Sequence, residues 1–198
     1  MQQKNTVNKQ VLRTREWIFN ALLTLLETMP YEDIKISNIT DKADVARQTF
    51  YRNYKSKDDI IVNYLDDRFN EFKAKAKEAQ NRSTAATFIL SFELFMEHRE
   101  ALIKIKNAGL DYLLFNQLLS YNKYFLNHVS EKEQNNSNLH NEYFVKFQVG
   151  GLATIVLEWI KRDMSMTPEE IGGIVYEIVR LFKDQDGYLP DILSKKES

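Results

Sequence analysis

Between Val45 and Lys57 the chain carries no acid, while Arg47, Arg52, Lys55 and Lys57 are all basic and Tyr51 and Tyr54 interleave with them. Guanidinium and ammonium groups neutralise phosphates, and an arginine can also pair bidentately with guanine O6 and N7. Taken alone, such a run is more often the solvated face of an ordinary helix. Its surroundings decide. Residues Ile34 to Ile61 read as a short helix, a tight turn, a second short helix and the charged start of a third. A basic, hydroxyl-rich helix after a turn is what a helix-turn-helix presents to the major groove, with flanking cations on phosphates.

The elements that would position these residues are legible nearby. A helix is expected over Val7–Thr28, with Ile18, Leu22, Leu25 and Leu26 at helical spacing and Pro30 stopping it. The next helix should span Ile36–Ala43 with Ile36, Ile39 and Ala43 inward, and Asp44 and Val45 make the turn. Arg47–Asn53 follows, burying Phe50 and Tyr54 at i, i+4 and leaving Arg47, Gln48, Thr49 and Tyr51 on or near the other side. Ser56 is placed to cap a long helix reaching Lys77, with Asp58 and Asp59 favouring its dipole. Lys9, Arg13 and Arg15 have two readings: contacts to DNA, or a charged, frayed end.

Beyond Gln80 the chain turns aromatic and leucine-rich. Phe88, Phe92 and Phe95 share a face, and a short helix near Ala101–Lys106 ends at Gly109. Leu110–Glu131 is expected helical, and Ser130–Asn138 an exposed loop. Leu139–Asp163 and Pro168–Asp184 are the last helices. Thr167, Pro168 and Glu170 give the final one a capping box, and Ile171, Ile174, Val175, Ile178, Leu181 and Phe182 give it a full stripe. The tail after Gly187 is expected to be loose. Gly150–Gly151 and Gly172–Gly173 lie mid-helix, where glycine costs up to about 1 kcal/mol against alanine. Close helix approach across a dimer axis would compensate; a kink beside a pocket is the other reading.

Composition bounds the class. With 198 residues, 43% hydrophobic, three prolines, six glycines and little period-2 alternation, the fold class is all-α. Cysteine is absent, which removes disulfides, thiolate zinc sites and cysteine nucleophiles. The three histidines, His98, His128 and His140, have no metal-like spacing with acids. No Ser-His-Asp set, phosphate-cradling glycine loop or carboxylate pair argues for catalysis, so no enzyme and no cofactor are expected. A net charge of −1 excludes a bulk polycation and confines nucleic-acid affinity to a local patch. No signal peptide is read, and uncharged runs such as Phe147–Leu157 fall short of the ~20 residues of a spanning helix. A soluble, cytoplasmic chain is expected.

The stretch PYEDIKISNITDKADVARQTFYRNYKSKDDII, preceded by an amphipathic helix and followed by an all-helical remainder, resembles the TetR family of bacterial transcriptional regulators. The likeness is specific over Trp17–Ile61; beyond that it rests on helix count and on the tail FQVGGLATIVLEWIKRD…TPEEI. It implies a homodimer. Each subunit would have a three-helix head (residues 1–56), a connecting helix (57–77) and a body for ligand binding and dimerisation (78–198), about nine helices in all. By position it places Arg47, Gln48 and Thr49 at base edges, and Tyr51, Lys57 and the backbone near Ile36 at phosphates. Three positions depart from the family: Asp44 stands for a common Gly, Ala46 for Ser or Thr, and Lys35 for Thr. Asp44 tolerates a left-handed turn. Ala46 is a poor cap. Lys35 offers a compensating phosphate contact, and Gln48, often small in relatives, prevents borrowing an operator sequence.

An aromatic stripe at helical spacing is more often core than pocket, yet the family's body often holds a ligand. The residues expected to line one are Phe92, Tyr112, Phe115, Asn116, Gln148 and Trp159, with Tyr112, Asn116 and Gln148 as polar orienting groups around an apolar or aromatic effector. The leading expectation is a ligand-responsive repressor on double-stranded DNA. An activator of the same fold, and a helical interaction protein without operator specificity, are the alternatives.

Overall fold

A computed structural model describes residues 2–78, 83–121 and 138–183. Among the described residues there are nine α-helices, one 3-10 turn and no strand, as the composition required. The helices are α1 (Gln2–Leu26), α2 (Ile36–Lys42), α3 (Arg47–Asn53), α4 (Asp58–Glu78) and α5 (Thr84–Glu97), with the 3-10 turn at Tyr31–Asp33. They continue as α6 (Arg99–Asn107), α7 (Asp111–Ser120), α8 (Asn138–Lys161) and α9 (Pro168–Lys183). Helix α1 begins earlier than its apolar periodicity suggested. Of the helix expected over Leu110–Glu131, everything after Tyr121 lies outside the described residues, as do the loop before Asn138 and the tail after Gly187.

Local chemistry fixes the ends. The Ser56 hydroxyl accepts the Asp59 amide at 3.2 Å, and the Asp59 carboxylate accepts the amides of Lys55 and Ser56 at 2.7 and 3.3 Å. Thr167 and Glu170 form the expected reciprocal box, at 3.2 and 2.8 Å. Gly109, at φ +73°, closes α6 in the left-handed region that glycine reaches without strain. Asp163 and Met164 adopt the same region without being glycine. Their turn is held from α6: Arg99 donates to the Asp163 carbonyl at 3.0 and 3.2 Å, and Lys106 pairs with its carboxylate at 3.0 Å.

Packing divides the chain into two compact units, Met1–Glu71 with His98–Ser165, and Phe72–Glu97 with Met166–Ser198. In the first unit, α1 packs on α2 and α6, α2 on α3, and α8 on α6 and α7. Its core includes Ile18, Leu22, Ile34, Ile39, Phe50, Tyr54, Ile60 and Ile61 near the N-terminus. Leu102, Ile105, Leu114, Val156, Trp159 and Ile160 are buried further along the chain. In the second unit α9 packs on α5, burying Phe92, Leu94, Ile171 and Val175.

One glycine expectation needs correction here. A Cβ on Gly172 would stand 2.9 Å from Ile89 Cγ1 and 3.0 Å from the Ile89 backbone, so this glycine serves close approach of α9 to α5 within one chain. The α9 stripe has a buried and an exposed part. Ile171 and Val175 are buried, but Ile174, Ile178 and Leu181 are 45%, 38% and 55% exposed.

Candidate nucleic-acid interface

The tight turn forms because Asp44 adopts φ +52°, the conformation a short polar side chain tolerates best after glycine. Val45 then returns its amide to Thr40 at 3.0 Å, and α3 starts at Arg47. Phe50 is fully buried and Tyr54 nearly so, their ring centroids 5.5 Å apart, which anchors one face of α3. The opposite face holds Arg47, Gln48 and Arg52 in solvent, with Tyr51 60% exposed. Thr49 is half-buried. Its hydroxyl takes a long 3.4 Å contact from Arg52, and its carbonyl accepts Asn53 at 2.8 Å. Ala46 gives α3 no side-chain cap, as its methyl group dictates.

The acids that follow the basic run are directed inward as caps. Asp59 is spent on the Lys55 and Ser56 amides, and Asp58 accepts the Tyr31 hydroxyl. Burial first, then Asp58, pushes the Tyr31 hydroxyl well above the usual phenol range. The exposed face of α3 therefore keeps its cations without a carboxylate beside them in sequence.

Lys35 is exposed and caps α2; its backbone amide donates to Asn38 Oδ1 at 2.8 Å. Ile36, expected inward, is half-buried at the first position of α2. Lys57 behaves differently from the other cations. Its ammonium donates to the carbonyls of Tyr31, Ile34 (3.1 Å) and Glu32 (3.4 Å) and lies 4.1 Å from the Tyr31 ring centroid. The arrangement thus brings Arg47, Gln48, Tyr51 and Lys35 to the surface and turns Lys57 towards the chain.

The residues expected around an effector lie on α5, α7 and α8. Phe92 is 1% exposed on α5 of the second unit, and Trp159 is 3% exposed on α8 of the first. On α7, Tyr112 is 49% exposed and Asn116 is exposed, while Phe115 and, on α8, Gln148 are half-buried. Burial, then the carboxylates of Asp58 and Glu32, raise the Tyr112 hydroxyl above the usual phenol range. A shallow cleft of about 390 Å³ lies elsewhere, between α1 and the end of α2, lined by Trp17, Asn20, Thr24, Lys42 and Asp44.

Two polar clusters on α4 escaped the sequence reading because their partners are remote. Asp66 accepts Gln117 at 2.5 Å and Tyr121 at 3.2 Å. Arg68 approaches His98 Nε2 at 3.2 Å; a guanidinium only donates, so that ring nitrogen is the acceptor. Among the described residues no group of three or more His, Asp or Glu could hold a metal ion, and no helix is long and apolar enough to cross a membrane.

Residues 82–181, half of the chain, match a TetR C-terminal family model described as "Transcriptional regulator C-terminal region". The HTH-type transcriptional regulator YxbF of Bacillus subtilis (strain 168) is 36% identical over 61 residues, which are 30% of this chain and 16% of that protein. The match thus spans about a sixth of that relative's length. Among solved structures, the fatty acid degradation regulator FadR from Bacillus halodurans superposes with a TM-score of 0.57 at 16% identity, covering 84% of this chain and 94% of that one. A TetR transcriptional regulator from Streptococcus agalactiae 2603V gives 0.56 at 16% identity, covering 89% and 98%. The dihydroxyacetone kinase operon activator DhaS gives 0.52 at 17% identity, covering 85% and 95%. At these identities the structural likeness establishes a shared fold.

Proposed function

The chain belongs to the TetR family of transcriptional regulators, and on that premise we propose that it is a ligand-responsive repressor that binds a palindromic operator as a homodimer. Regulators of this family bind DNA and dimerise. The observation that carries the DNA half of the reading is the solvent face of α3. Arg47 and Gln48 stand free on a short helix whose other face is locked by Phe50, with Tyr51 exposed beside them. In this reading Arg47, Gln48 and Thr49 meet base edges, while Lys35, Tyr51 and the backbone at Ile36 meet phosphates.

The dimer is supported by two exposed apolar faces. Tyr143 and Phe147 on α8 are 64% and 61% exposed, and α9 exposes Ile174, Ile178 and Leu181. A Cβ at Gly150, Gly151 or Gly173 would meet nothing within 4 Å among the described residues, where these glycines serve no close packing. The effector is proposed to sit in the body and to act by favouring one spacing of the two heads. A tenfold change in operator affinity needs about 1.4 kcal/mol of such preference.

Selection of bound duplexes from a random pool tests the reading. The expected product is an inverted repeat with half-sites about 34–36 Å apart or a helical multiple of that. Failure to enrich any sequence would leave a helical interaction protein. Because an operon activator shares the fold, a reporter downstream of the selected site then tells repression from activation.

A further inference from the structure

We infer that Lys57 is a positioning residue for DNA binding, not a phosphate contact: it fixes the lead-in to α2 and thereby places Lys35. The inference rests on the DNA-binding reading above. An ammonium has three N–H donors and no acceptor. Those of Lys57 face three carbonyls, Tyr31, Glu32 and Ile34, which carry the negative end of the 3-10 turn. The Tyr31 ring covers the same ammonium at 4.1 Å. Drawing Lys57 out to a phosphate would strip all four contacts from it at once.

The neighbouring residue completes the pin. Asp58, next to Lys57 at the start of α4, accepts the hydroxyl of Tyr31. Two successive residues of α4's N-terminus therefore hold both ends of one tyrosine, its backbone carbonyl and its phenol. Tyr31 and Ile34 are buried, so the turn is seated as well as tethered. The chain leaves this turn directly into Lys35, the exposed cap of α2. Whatever sets the carbonyls of residues 31–34 sets where the Lys35 side chain emerges.

The test is a double-mutant cycle read as salt dependence on the selected operator, with Arg47→Ala as control for the DNA reading. Each lost phosphate contact lowers the slope of log K against log salt by about 0.9. Lys35→Ala should lower it by that amount per subunit. Lys57→Met, which keeps the alkyl stem, should lower it equally, and the double variant by no more than either single one. A double variant losing twice as much would make Lys57 a direct phosphate contact and overturn the inference. An unchanged slope and affinity in Lys57→Met would overturn it too. If Lys57→Met does not fold, Lys57→Gln, which keeps a donor for the carbonyls but no charge for a phosphate, should hold the wild-type slope, and a loss of about 0.9 per subunit that adds to that of Lys35→Ala overturns the inference. If the wild-type chain and Arg47→Ala bind every duplex alike, the DNA reading itself fails and this inference falls with it. A sequence-specific wild type with an additive cycle removes this inference alone.

Discussion

Helices α3 and α9 each bury one face and expose another, and the exposed faces have opposite chemistry. On α3 the buried anchor is Phe50, and the solvent side is Arg47, Gln48, Tyr51 and Arg52. On α9 the buried side is Ile171 and Val175 against α5, and the solvent side includes Ile174, Ile178 and Leu181. Charged side chains at a surface cost nothing to leave hydrated. Large aliphatic ones forgo up to roughly 1.5–3 kcal/mol each when left unburied. The α3 face therefore costs little to leave in water, whereas covering the α9 face with an apolar partner would be favourable. The comparison separates the proposed DNA-binding surface from the proposed assembly surface.

The largest effect should come from spoiling the assembly surface. Ile178→Glu places a charge in the α9 face and should convert the proposed dimer to a 23.4 kDa chain. Operator affinity should then fall more than about 100-fold, or ~2.7 kcal/mol, as two linked half-sites become one. Light scattering beside a binding titration checks it. A variant that stays dimeric moves the interface off α9 and breaks the comparison.

Arg47→Ala probes the other face. It should leave folding untouched, since Arg47 is exposed, and cost about 1–3 kcal/mol of operator binding with relaxed preference at one base pair. Titrations against operators changed at single positions would detect this. An equal loss on every sequence would reassign Arg47 to the phosphates.

What the sequence made legible follows from distance along the chain. The caps at Ser56 and Thr167, the stop at Gly109 and the left-handed Asp44 depend on residues within a turn of each other. Short-range residue patterns therefore suffice to find the caps and the stop, while the left-handed Asp44 followed from the family resemblance. The exposed set on α3 followed from Phe50 and Tyr54 claiming the inner face. The inward contacts of Lys57 lie beyond the same local logic: a cation in a basic run looks like its neighbours, but the carbonyls it meets lie more than twenty residues upstream. The α9 stripe shows a second limit. Periodicity says which side of a helix is apolar, not whether one neighbour or two will cover it.

The adjacent glycines of α9 sharpen the comparison at smaller cost. Gly172→Ala would drive a Cβ into the backbone of Ile89. Such overpacking costs typically about 1–3 kcal/mol. Gly173→Ala meets nothing within the chain and should gain up to about 1 kcal/mol from helix propensity. Thermal melts of the two variants should shift in opposite directions. If Gly173→Ala destabilises instead, a second chain covers that position as closely as Ile89 covers Gly172.

The smallest effect belongs to the start of α3. Ala46 has extended backbone geometry suited to a cap but no side-chain oxygen to offer. Its carbonyl already receives the Thr49 amide at 2.8 Å, so a hydroxyl at position 46 would chiefly serve Gln48. Replacing a capping hydroxyl by alanine costs around 1 kcal/mol, so Ala46→Ser should return a fraction to all of that, about 2–4 °C in a melt. Nothing buried changes, because Ala46 is exposed. The gain would appear on the binding surface alone and leave dimer mass unaltered, the reverse of Ile178→Glu. A melt that does not rise would mean that α3 is already held as firmly by Phe50 and Tyr54 as a cap could hold it.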